Sequence, residues 1–329
     1  MAILVTGGAG YIGSHTALEL MRRGKKVIVY DNLQKGHTAA CIRIGAKLIT
    51  GDIRDTVTLS KTIRDNAVDH IIHFAAESLV GESMKDPLKY YDNNVYGTCC
   101  LLKCAAEGNV KGIVFSSTAA VYGEPEETPL REDSRTHPTN TYGETKLAIE
   151  RMLEWVYTAH GINHVALRYF NAAGADDETD IGEDHRPETH LIPLVLKTAL
   201  GQRASIDVYG SDYPTRDGTC VRDYIHVNDL ADAHIRALSK LEKGESAIYN
   251  LGNGIGFTVL EVIEAARRVT GRSIPTKTIS RRAGDPATLV ASSQKVKEEL
   301  GWEPRYPEIE QIIESAWKWH RGNPQGYAD

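Results

Sequence analysis

The sequence has few aromatic residues, few cysteines and no long apolar run. It contains four phenylalanines, four tryptophans and five cysteines among 329 residues. No two cysteines form a C-x-x-C pair, so we expect buried, reduced thiols and no disulfide framework. No apolar stretch approaches the roughly 20 residues that a membrane-spanning helix needs.

Basic stretches are also absent, and the formal net charge is −6. We therefore expect no nucleic-acid partner and no membrane partner. The opening residues lack a charged leader, so we expect a soluble, cytoplasmic protein. With 41% apolar residues, the chain can build one large domain or two ordinary ones.

Glycines interrupt the first apolar run of the chain. Gly7 and Gly10 follow this run, and Gly13 lies within the helical pattern that starts near Tyr11. The first two glycines permit a tight turn and a close approach to a pyrophosphate, while Gly13 lets the helix pack on its strand. Because a helix N-terminus attracts anions, this stretch predicts a dinucleotide site that includes Ile12.

The second predicted strand spans residues 26–30, and a carboxylate follows it directly. Asp31 lies 18 residues beyond Gly13, where the two hydroxyls of an adenosine ribose are expected. Its charge would repel a 2′-phosphate, and no arginine follows it closely. The pattern favours NAD over NADP.

Short apolar runs at 46–50, 70–76, 111–116 and 164–169 alternate with helical stretches. This alternation predicts a doubly wound parallel α/β sheet of the Rossmann type. Ligands bind such sheets at the carboxyl ends of strands. That rule selects Asp31, Asp52, Ile53, Phe74, Ala75, Ala76, Ser116, Ser117, Thr118, Tyr169, Phe170 and Asn171.

The second half is richer in loops. We predict a Rossmann domain for NAD over residues 1–171 and a smaller, mixed α/β substrate-binding lobe over 172–329. Segments near 222–251 are expected to return toward the sheet. The site should lie in the crevice between the two parts.

Tyr142 and Lys146 are four residues apart at the start of a predicted helix, and therefore share one face. An ammonium beside a phenol, with a positive nicotinamide nearby, is expected to lower the pKa of the tyrosine. Tyr142 could then remove a proton from a sugar hydroxyl as hydride leaves the same carbon. Thr118, after the fifth strand, could share a hydrogen bond with that hydroxyl.

Two histidine pairs suggest metal binding at first sight. His70 and His73 are three apart on a strand, so they point to opposite faces. His185 and His190 share a loop, but no third ligand stands at a typical spacing. We expect no metal site.

The combination T-G-x-x-G-x-x-G at 6–13 and Y-x-x-x-K at 142–146 resembles the extended short-chain dehydrogenase/reductase family. The similarity runs nearly end to end and is greatest to the members that invert C4 of UDP-sugars. Supporting segments are 51–54, 73–75, 80–83, 90–95, 115–118, 168–171, 182–184, 221–227, 249–252 and 281–285.

The resemblance implies a residue set for NAD. Tyr142 would be the base, Lys146 would hold the nicotinamide ribose, and Thr118 would assist proton movement. The other positions implied are Gly7, Gly10, Tyr11, Ile12, Gly13, Asp31, Asn32, Asp52, Ile53, Phe74, Ala75, Ala76, Asn93 and Phe170. Ser78 stands where some members carry a lysine that contacts NAD.

The resemblance also implies a substrate site. Arg222 and Arg282 would bind the diphosphate, and Asp285 would bind the uridine ribose. Further positions implied are Asn171, His190, Leu191, Tyr209 and Leu289. His190 replaces an asparagine that many members have. Leu289 is smaller than the tyrosine that accompanies unacetylated sugars, which suggests added activity on UDP-N-acetylhexosamines.

The implied reaction is the reversible 4-epimerisation of UDP-galactose and UDP-glucose through a 4-keto sugar. A nucleotide-sugar 4,6-dehydratase is the nearest alternative, but Ala119 and Ala120 stand where dehydratases carry an Asp-Glu pair. A non-catalytic dinucleotide sensor is a second alternative.

The resemblance also implies a homodimer, because relatives pair two long helices of the first domain across a two-fold axis. The apolar faces near 95–102 and 147–155 are compatible with this pairing.

Overall fold

A computed structural model describes residues 1–282 and 285–328 of the chain. Ala283 and Gly284, in the motif at 281–285, lie outside the described residues. The strands are β1 Ala2–Thr6, β2 Lys26–Asp31, β3 Lys47–Thr50, β4 His70–His73, β5 Gly112–Ser116, β6 Asn163–Tyr169, β7 Asn171–Ala173, β8 Ile206–Tyr209, β9 Val221–Arg222, β10 Tyr224–His226, β11 Ala247–Leu251, β12 Phe257–Thr258, β13 Thr276–Ile279 and β14 Thr288–Leu289. The helices are α1 Tyr11–Arg22, α2 Thr38–Ile44, α3 Thr56–Asn66, α4 Val80–Ser83, α5 Pro87–Tyr90, α6 Gly97–Glu107, α7 Thr141–His160, α8 Leu191–Ala199, α9 Val227–Glu242, α10 Val259–Thr270, α11 Gln294–Leu300 and α12 Ile309–Gly322.

Seven strands of the described chain form one parallel sheet in the order β11-β6-β5-β4-β1-β2-β3. The predicted doubly wound α/β fold is therefore confirmed. The strand order reverses beside β1, which pairs with β2 on one side and β4 on the other. Ligands of such sheets bind at this switch point, outside the carboxyl ends of the strands.

Helices cover both faces of the sheet. One apolar core lies between the sheet and helices α1, α2 and α9, and a second lies against α3, α6 and α7. Every residue of β1 is buried, as expected for a central strand covered on both sides. These two cores hold the strand ends, and with them the site, in fixed positions.

The helical stretch predicted from 90 to 107 contains a wider turn. Residues Tyr91–Tyr96 form a π-helical segment between α5 and α6. Asn94 lies in this segment, fully buried, and its amide donates to Glu77 O (3.0 Å) and to Thr145 Oγ1 (3.1 Å). The wide turn therefore ties this helix to the start of α7, as π-turns at functional sites often do.

The second half forms a smaller lobe and also returns to the sheet. Helices α8, α10 and α12 enclose a third apolar core with β8. Strand β11 pairs with β6, which makes it an edge strand of the main sheet. Strand β9 lies between β12 and β14, so Arg222 is level with Leu289. None of the described helices is long and apolar enough to cross a membrane.

Candidate active site

Two glycines of the turn after β1 leave no room for a side chain. Gly7 has φ +70°, and a Cβ there would lie 2.5 Å from Ala75 N. A Cβ on Gly13 would overlap the carbonyl oxygen of Gly7. Both positions therefore require glycine, and the backbone of the turn stays open to a ligand.

Helix α1 begins directly after this turn. Gly10 is its N-cap, and no side chain of the described residues accepts a hydrogen bond from this helix end. The first amides of the helix, at Tyr11 and Ile12, are thus available to an anion. The Tyr11 hydroxyl donates to Gly174 O at 2.7 Å, so its side chain is used in contact with the second half of the chain.

Asp31 ends β2 next to the glycine turn. It is 7% exposed, and its two carboxylate oxygens accept hydrogen bonds from Ala9 N (3.0 Å) and Leu33 N (2.8 Å). Burial raises the pKa of this carboxyl group, and the two amides oppose that shift. Each oxygen retains a lone pair for a further donor, such as a ribose hydroxyl.

Asn32 and Asp52 lie side by side at the ends of β2 and β3. The Asn32 amide donates to Asp52 Oδ2 at 3.0 Å, and Arg54 lies 2.7 Å from the same oxygen. The Arg54 hydrogen bond holds the pKa of Asp52 well below its usual range. Ile53 is buried, and a Cβ on Gly97 would lie 2.7 Å from its Cδ1 atom.

The segment after β4 lies against the glycine turn. Phe74 N and Ala75 N both donate to Thr6 O, at 2.9 and 3.1 Å, and Ala76 is half-buried beside them. These bonds end β4 at His73 instead of 76, where the sequence predicted it. Asn93, in the π-helical turn, donates to Asn94 Oδ1 at 3.0 Å.

Tyr142, Thr118 and Lys146 meet at the carboxyl end of β5. Asn140 caps α7, and Tyr142 is at the second helical position, where the Thr118 side chain lowers its pKa. Lys146 Nζ lies 5.8 Å from the centre of the Tyr142 ring and donates to Ser116 O at 2.8 Å. The structure thus brings the three predicted catalytic side chains together.

Burial dominates the protonation of this group in the chain alone. It raises the pKa of Tyr142 to about 12, although Thr118 opposes the shift. Burial also lowers the pKa of Lys146 to about 7, with partial opposition from Glu150. The Lys146 amine is directed at Ser116 O, and the lowering of the Tyr142 pKa by Lys146 together with a bound nicotinamide stays a prediction.

A buried polar network supports the catalytic group from behind. Glu150 accepts from Ser117 Oγ (2.5 Å) and forms an ion pair with Arg168 (2.6 Å), and both charged side chains are at most 5% exposed. Arg168 in turn donates to the Tyr122 hydroxyl at 2.9 Å, and that hydroxyl donates to Asn250 Oδ1 at 2.6 Å. The network connects α7, β6 and β11 directly beneath the ends of β5 and β6.

Predicted substrate residues lie on β7, β9 and β14. Asn171 Nδ2 donates to Asp223 O at 2.7 Å, and Arg222 forms an ion pair with Asp285. Leu289, opposite Arg222, packs with Phe170 against a buried cluster. That cluster contains Val121, Tyr122, Leu130 and Leu147. Leu289 and Phe170 therefore share an apolar surface close to the catalytic helix.

Two other predicted residues form a separate pair. The Arg282 guanidinium lies over the Tyr209 ring, 3.8 Å from its centre. Stacking of this kind leaves the edge of the guanidinium free to bind an anion. Arg282 and Tyr209 are thus placed to act together at the end of β8.

His190 and Leu191 start α8. Leu191 packs at the margin of the third core. His190 Nδ1 lies 2.8 Å from Glu183 Oε1 and 3.0 Å from Glu188 Oε1, so its side chain is bound to carboxylates. These two glutamates also contact His185, which means that the expectation of no metal site overlooked two ligand-type residues.

The family model for the NAD dependent epimerase/dehydratase family matches residues 3–252, three quarters of the chain. The chain belongs to this family. The resemblance predicted from the sequence is confirmed, and the match contains the glycine turn, Asp31 and the catalytic group. The part of the smaller lobe that follows residue 252 lies outside the match.

Relatives within the epimerase/dehydratase family align over almost the entire chain. A UDP-glucose 4-epimerase of Halalkalibacterium halodurans is 58% identical over 329 residues, which cover 100% of this chain and 98% of that protein. The crystal structure of UDP-glucose 4-epimerase from Bifidobacterium longum in complex with NAD+ and UDP is 42% identical, with a TM-score of 0.95, and covers 99% and 100% of the two chains. The UDP-Glc/GlcNAc 4-epimerase of Campylobacter jejuni is 40% identical, with a TM-score of 0.86, over 98% and 99%.

Sequence reasoning missed Glu150 and Asn94 as supports of this epimerase-family site. Glu150 lies four residues after Lys146, which places it one helical turn further along the same face. That spacing was a usable signal. The partners of Asn94 come from distant segments, and nothing in the local sequence indicates them.

Proposed function

We propose that the chain is an isomerase that interconverts UDP-galactose and UDP-glucose by inversion at C4, with NAD retained between turnovers. The observation that carries this proposal is the grouping of Tyr142, Thr118 and Lys146 at the carboxyl end of β5, with the Lys146 amine 5.8 Å from the centre of the Tyr142 ring. The relatives named UDP-glucose 4-epimerase support the choice of substrate. We further propose that residues 1–171 bind NAD and residues 172–329 bind the UDP-sugar.

The described residues fit NAD. Gly7 and Gly13 have no room for a Cβ, the N-cap of α1 makes no side-chain hydrogen bond, and Asp31 is a buried carboxylate at the end of β2. A pyrophosphate at the α1 N-terminus and a ribose diol at Asp31 would use these features. When bound, NAD supplies reversible hydride acceptance from C4 of the sugar.

The side chains would divide the remaining work. Tyr142 would take the proton of the C4 hydroxyl, and Thr118, whose side chain lowers the pKa of Tyr142, would share and orient that proton. Lys146 would hold the nicotinamide ribose. Arg222 and Arg282 would hold the diphosphate while the 4-keto sugar turns about its phosphate link, so that its other face is reduced.

The dehydratase alternative lacks its acid and base. Ala119 and Ala120 follow Thr118 in a short 3-10 turn, and Ala120 N donates to Thr118 Oγ1 at 3.2 Å. No carboxylate follows the hydroxyl residue here. Mass spectrometry of the product distinguishes the reactions, because epimerisation conserves the mass of UDP-galactose whereas dehydration removes one water. A binding-only sensor would leave UDP-galactose unchanged.

We propose activity on UDP-N-acetylhexosamines as a second function. Leu289 is half-buried and packs beside Phe170, where a larger side chain would fill space. Leu289→Tyr should lower kcat/KM for UDP-N-acetylglucosamine at least tenfold more than for UDP-glucose, since the added ring competes with the acetyl group. An equal loss for both sugars would refute this role.

We also propose a homodimer formed through α6 and α7. Trp155, on α7, is 74% exposed, and Met152 and Val156 line a groove with Leu102 of α6. Light scattering should give a dimer for the native chain and a monomer for Trp155→Glu. Val57→Glu, at a position 79% exposed on α3, is the matched control and should stay dimeric.

We propose a cytoplasmic location and a role in galactose metabolism. Four of the five cysteines, Cys41, Cys100, Cys104 and Cys220, are buried. Thiols of this kind suit a reducing compartment.

A further inference from the structure

Four metal-ligating side chains meet in the loop before α8, apart from the catalytic group. One ligand atom each from Glu183, His185, Glu188 and His190 lies within 4.8 Å of all the others. The His190 Nδ1 atom is 2.8 Å from Glu183 Oε1 and 3.0 Å from Glu188 Oε1. The His185 Nδ1 atom is 3.0 Å from Glu183 Oε1 and 3.8 Å from Glu188 Oε2. Both imidazoles thus present the same nitrogen to the same two carboxylates.

Burial makes this arrangement unusual. The Glu183 and Glu188 side chains are only 4% and 3% exposed, so two adjacent negative charges are removed from water. Within the described chain, Glu188 Oε2 has no hydrogen-bond partner although it is fully buried. A buried carboxylate oxygen without a partner is costly, and here it faces the cluster.

We propose that Glu183, His185, Glu188 and His190 form a binding site for one divalent transition-metal ion, with Zn²⁺ as the best match. Imidazole nitrogen and carboxylate oxygen are both Zn²⁺ ligands, and four protein ligands complete a tetrahedral shell. The ion would neutralise the two carboxylates and engage the unpartnered oxygen of Glu188. Neutral histidines are required, so binding would release the protons that these imidazoles carry.

The location indicates a structural ion. His190 is the N-cap of α8, and the edge of the His185 ring packs on Tyr11, with ring centres 6.2 Å apart. A metal at the cluster would connect the loop at 183–190, the substrate-lobe helix and the start of α1. Because all four coordination positions are filled by protein, the ion would stabilise the lobe and would have no open position at which to activate a water or a substrate.

The test is direct metal binding by the full-length protein. After treatment with a chelator, Zn²⁺ should bind at about one ion per chain in competition with a chromophoric chelator. His190→Asn and Glu188→Gln should each weaken this binding by at least about 100-fold. His160→Asn, an exposed histidine at the end of α7, is the matched control and should bind as the native chain does.

Two further readouts are independent of activity. Zn²⁺ at about 100 times its Kd should raise the Tm of the native chain by about 5 °C, and should leave the Tm of Glu188→Gln unchanged. Co²⁺ should give the visible absorption of a four-coordinate ion. Because glutamine has nearly the same shape as glutamate, we expect Glu188→Gln to fold, and circular dichroism will check this. Absence of saturable binding, or equal affinity in the native chain and both variants, would mean that the cluster is only a set of ion pairs.

Discussion

Tyr142 is held in a position that favours its neutral form. Burial raises its pKa to about 12, whereas the pKa of Lys146 falls to about 7. The Thr118 side chain opposes this shift and lowers the Tyr142 pKa. Bound ligands that bring positive charge close to the phenol would shift the balance toward phenolate.

Replacement of the phenol should separate chemistry from cofactor binding. Tyr142→Phe should reduce kcat for UDP-galactose by about 10²–10⁴-fold, the usual contribution of a positioned proton-transfer group. Its NAD content, measured after denaturation, should equal that of the native protein. Tyr157→Phe removes a hydroxyl from the exposed part of the same helix and serves as the control. A loss smaller than threefold in Tyr142→Phe would exclude this tyrosine as the base.

The buried side chain of His73 makes the free energy of unfolding depend on pH. It is fully buried between Thr6 Oγ1 (2.7 Å) and Thr98 Oγ1 (3.0 Å), and burial lowers its pKa from 6.5 to about 3. Below pH 6.5 the unfolded chain therefore binds a proton that the folded chain does not. His73 makes the free energy of unfolding fall by up to about 1.4 kcal/mol per pH unit between pH 6.5 and 3.

This dependence is measurable as a difference between two proteins. Urea unfolding at pH 7.5 and 5.5 should show a stability loss about 1.4 kcal/mol larger for the native chain than for His73→Gln, because glutamine does not titrate. The difference cancels the contributions of the other acids and histidines. Equal losses in the two proteins would indicate that His73 has an ordinary pKa.

At the scale of elements, a buried ion pair connects α7 to β6. Glu150 and Arg168 are at most 5% exposed and form two hydrogen bonds, at 2.6 and 2.9 Å. Glu150→Gln should lower the free energy of unfolding by about 3–5 kcal/mol, because it leaves Arg168 buried without its counter-charge. Asp133→Asn breaks an ion pair that is more than 70% exposed and should cost less than about 1 kcal/mol. Comparable costs for the two variants would contradict this assignment.

The packing of α1 against the turn after β1 requires that position 13 has no side chain. Gly13→Ala should force the helix away from the Gly7 carbonyl and cost about 1–3 kcal/mol of stability, with loss of copurified NAD. Gly322→Ala is the matched control, because a Cβ there meets no atom of the described chain within 4 Å. If Gly13→Ala retained full NAD content, the glycine turn would not be the cofactor site.

The same elements show how far sequence reasoning extends. The first six strands and the glycine turn were predicted because apolar periodicity and glycine spacing are local signals. The end of β4 at His73 and the π-helical turn at 91–96 were not, since they depend on bonds to Thr6 and Glu77 from other segments. The predicted effect of Lys146 on the Tyr142 pKa involves a bound nicotinamide and stays a prediction. The amine is directed by the backbone of β5, which the spacing of the two residues does not reveal.

At the scale of the whole molecule, the candidate site is assembled from segments far apart in the chain. Arg222 forms an ion pair with Asp285, and Leu289 and Phe170 pack against the same buried cluster. Phe170 was indicated by its place at the end of a predicted strand, but only the resemblance to a family pointed to Arg222, Asp285 and Leu289, since no local pattern connects them. The cluster of His185 and His190 with two glutamates was overlooked because only the histidine spacing was considered.

The central claim is that this molecule epimerises UDP-galactose with NAD that it retains. The most direct measurement is the conversion of UDP-galactose to UDP-glucose by purified protein with no NAD added. The product is read with a UDP-glucose dehydrogenase after the protein is quenched and removed. We expect sustained turnover by the native protein and near-complete loss of turnover in Tyr142→Phe. No UDP-glucose, even after NAD is supplied, would contradict it.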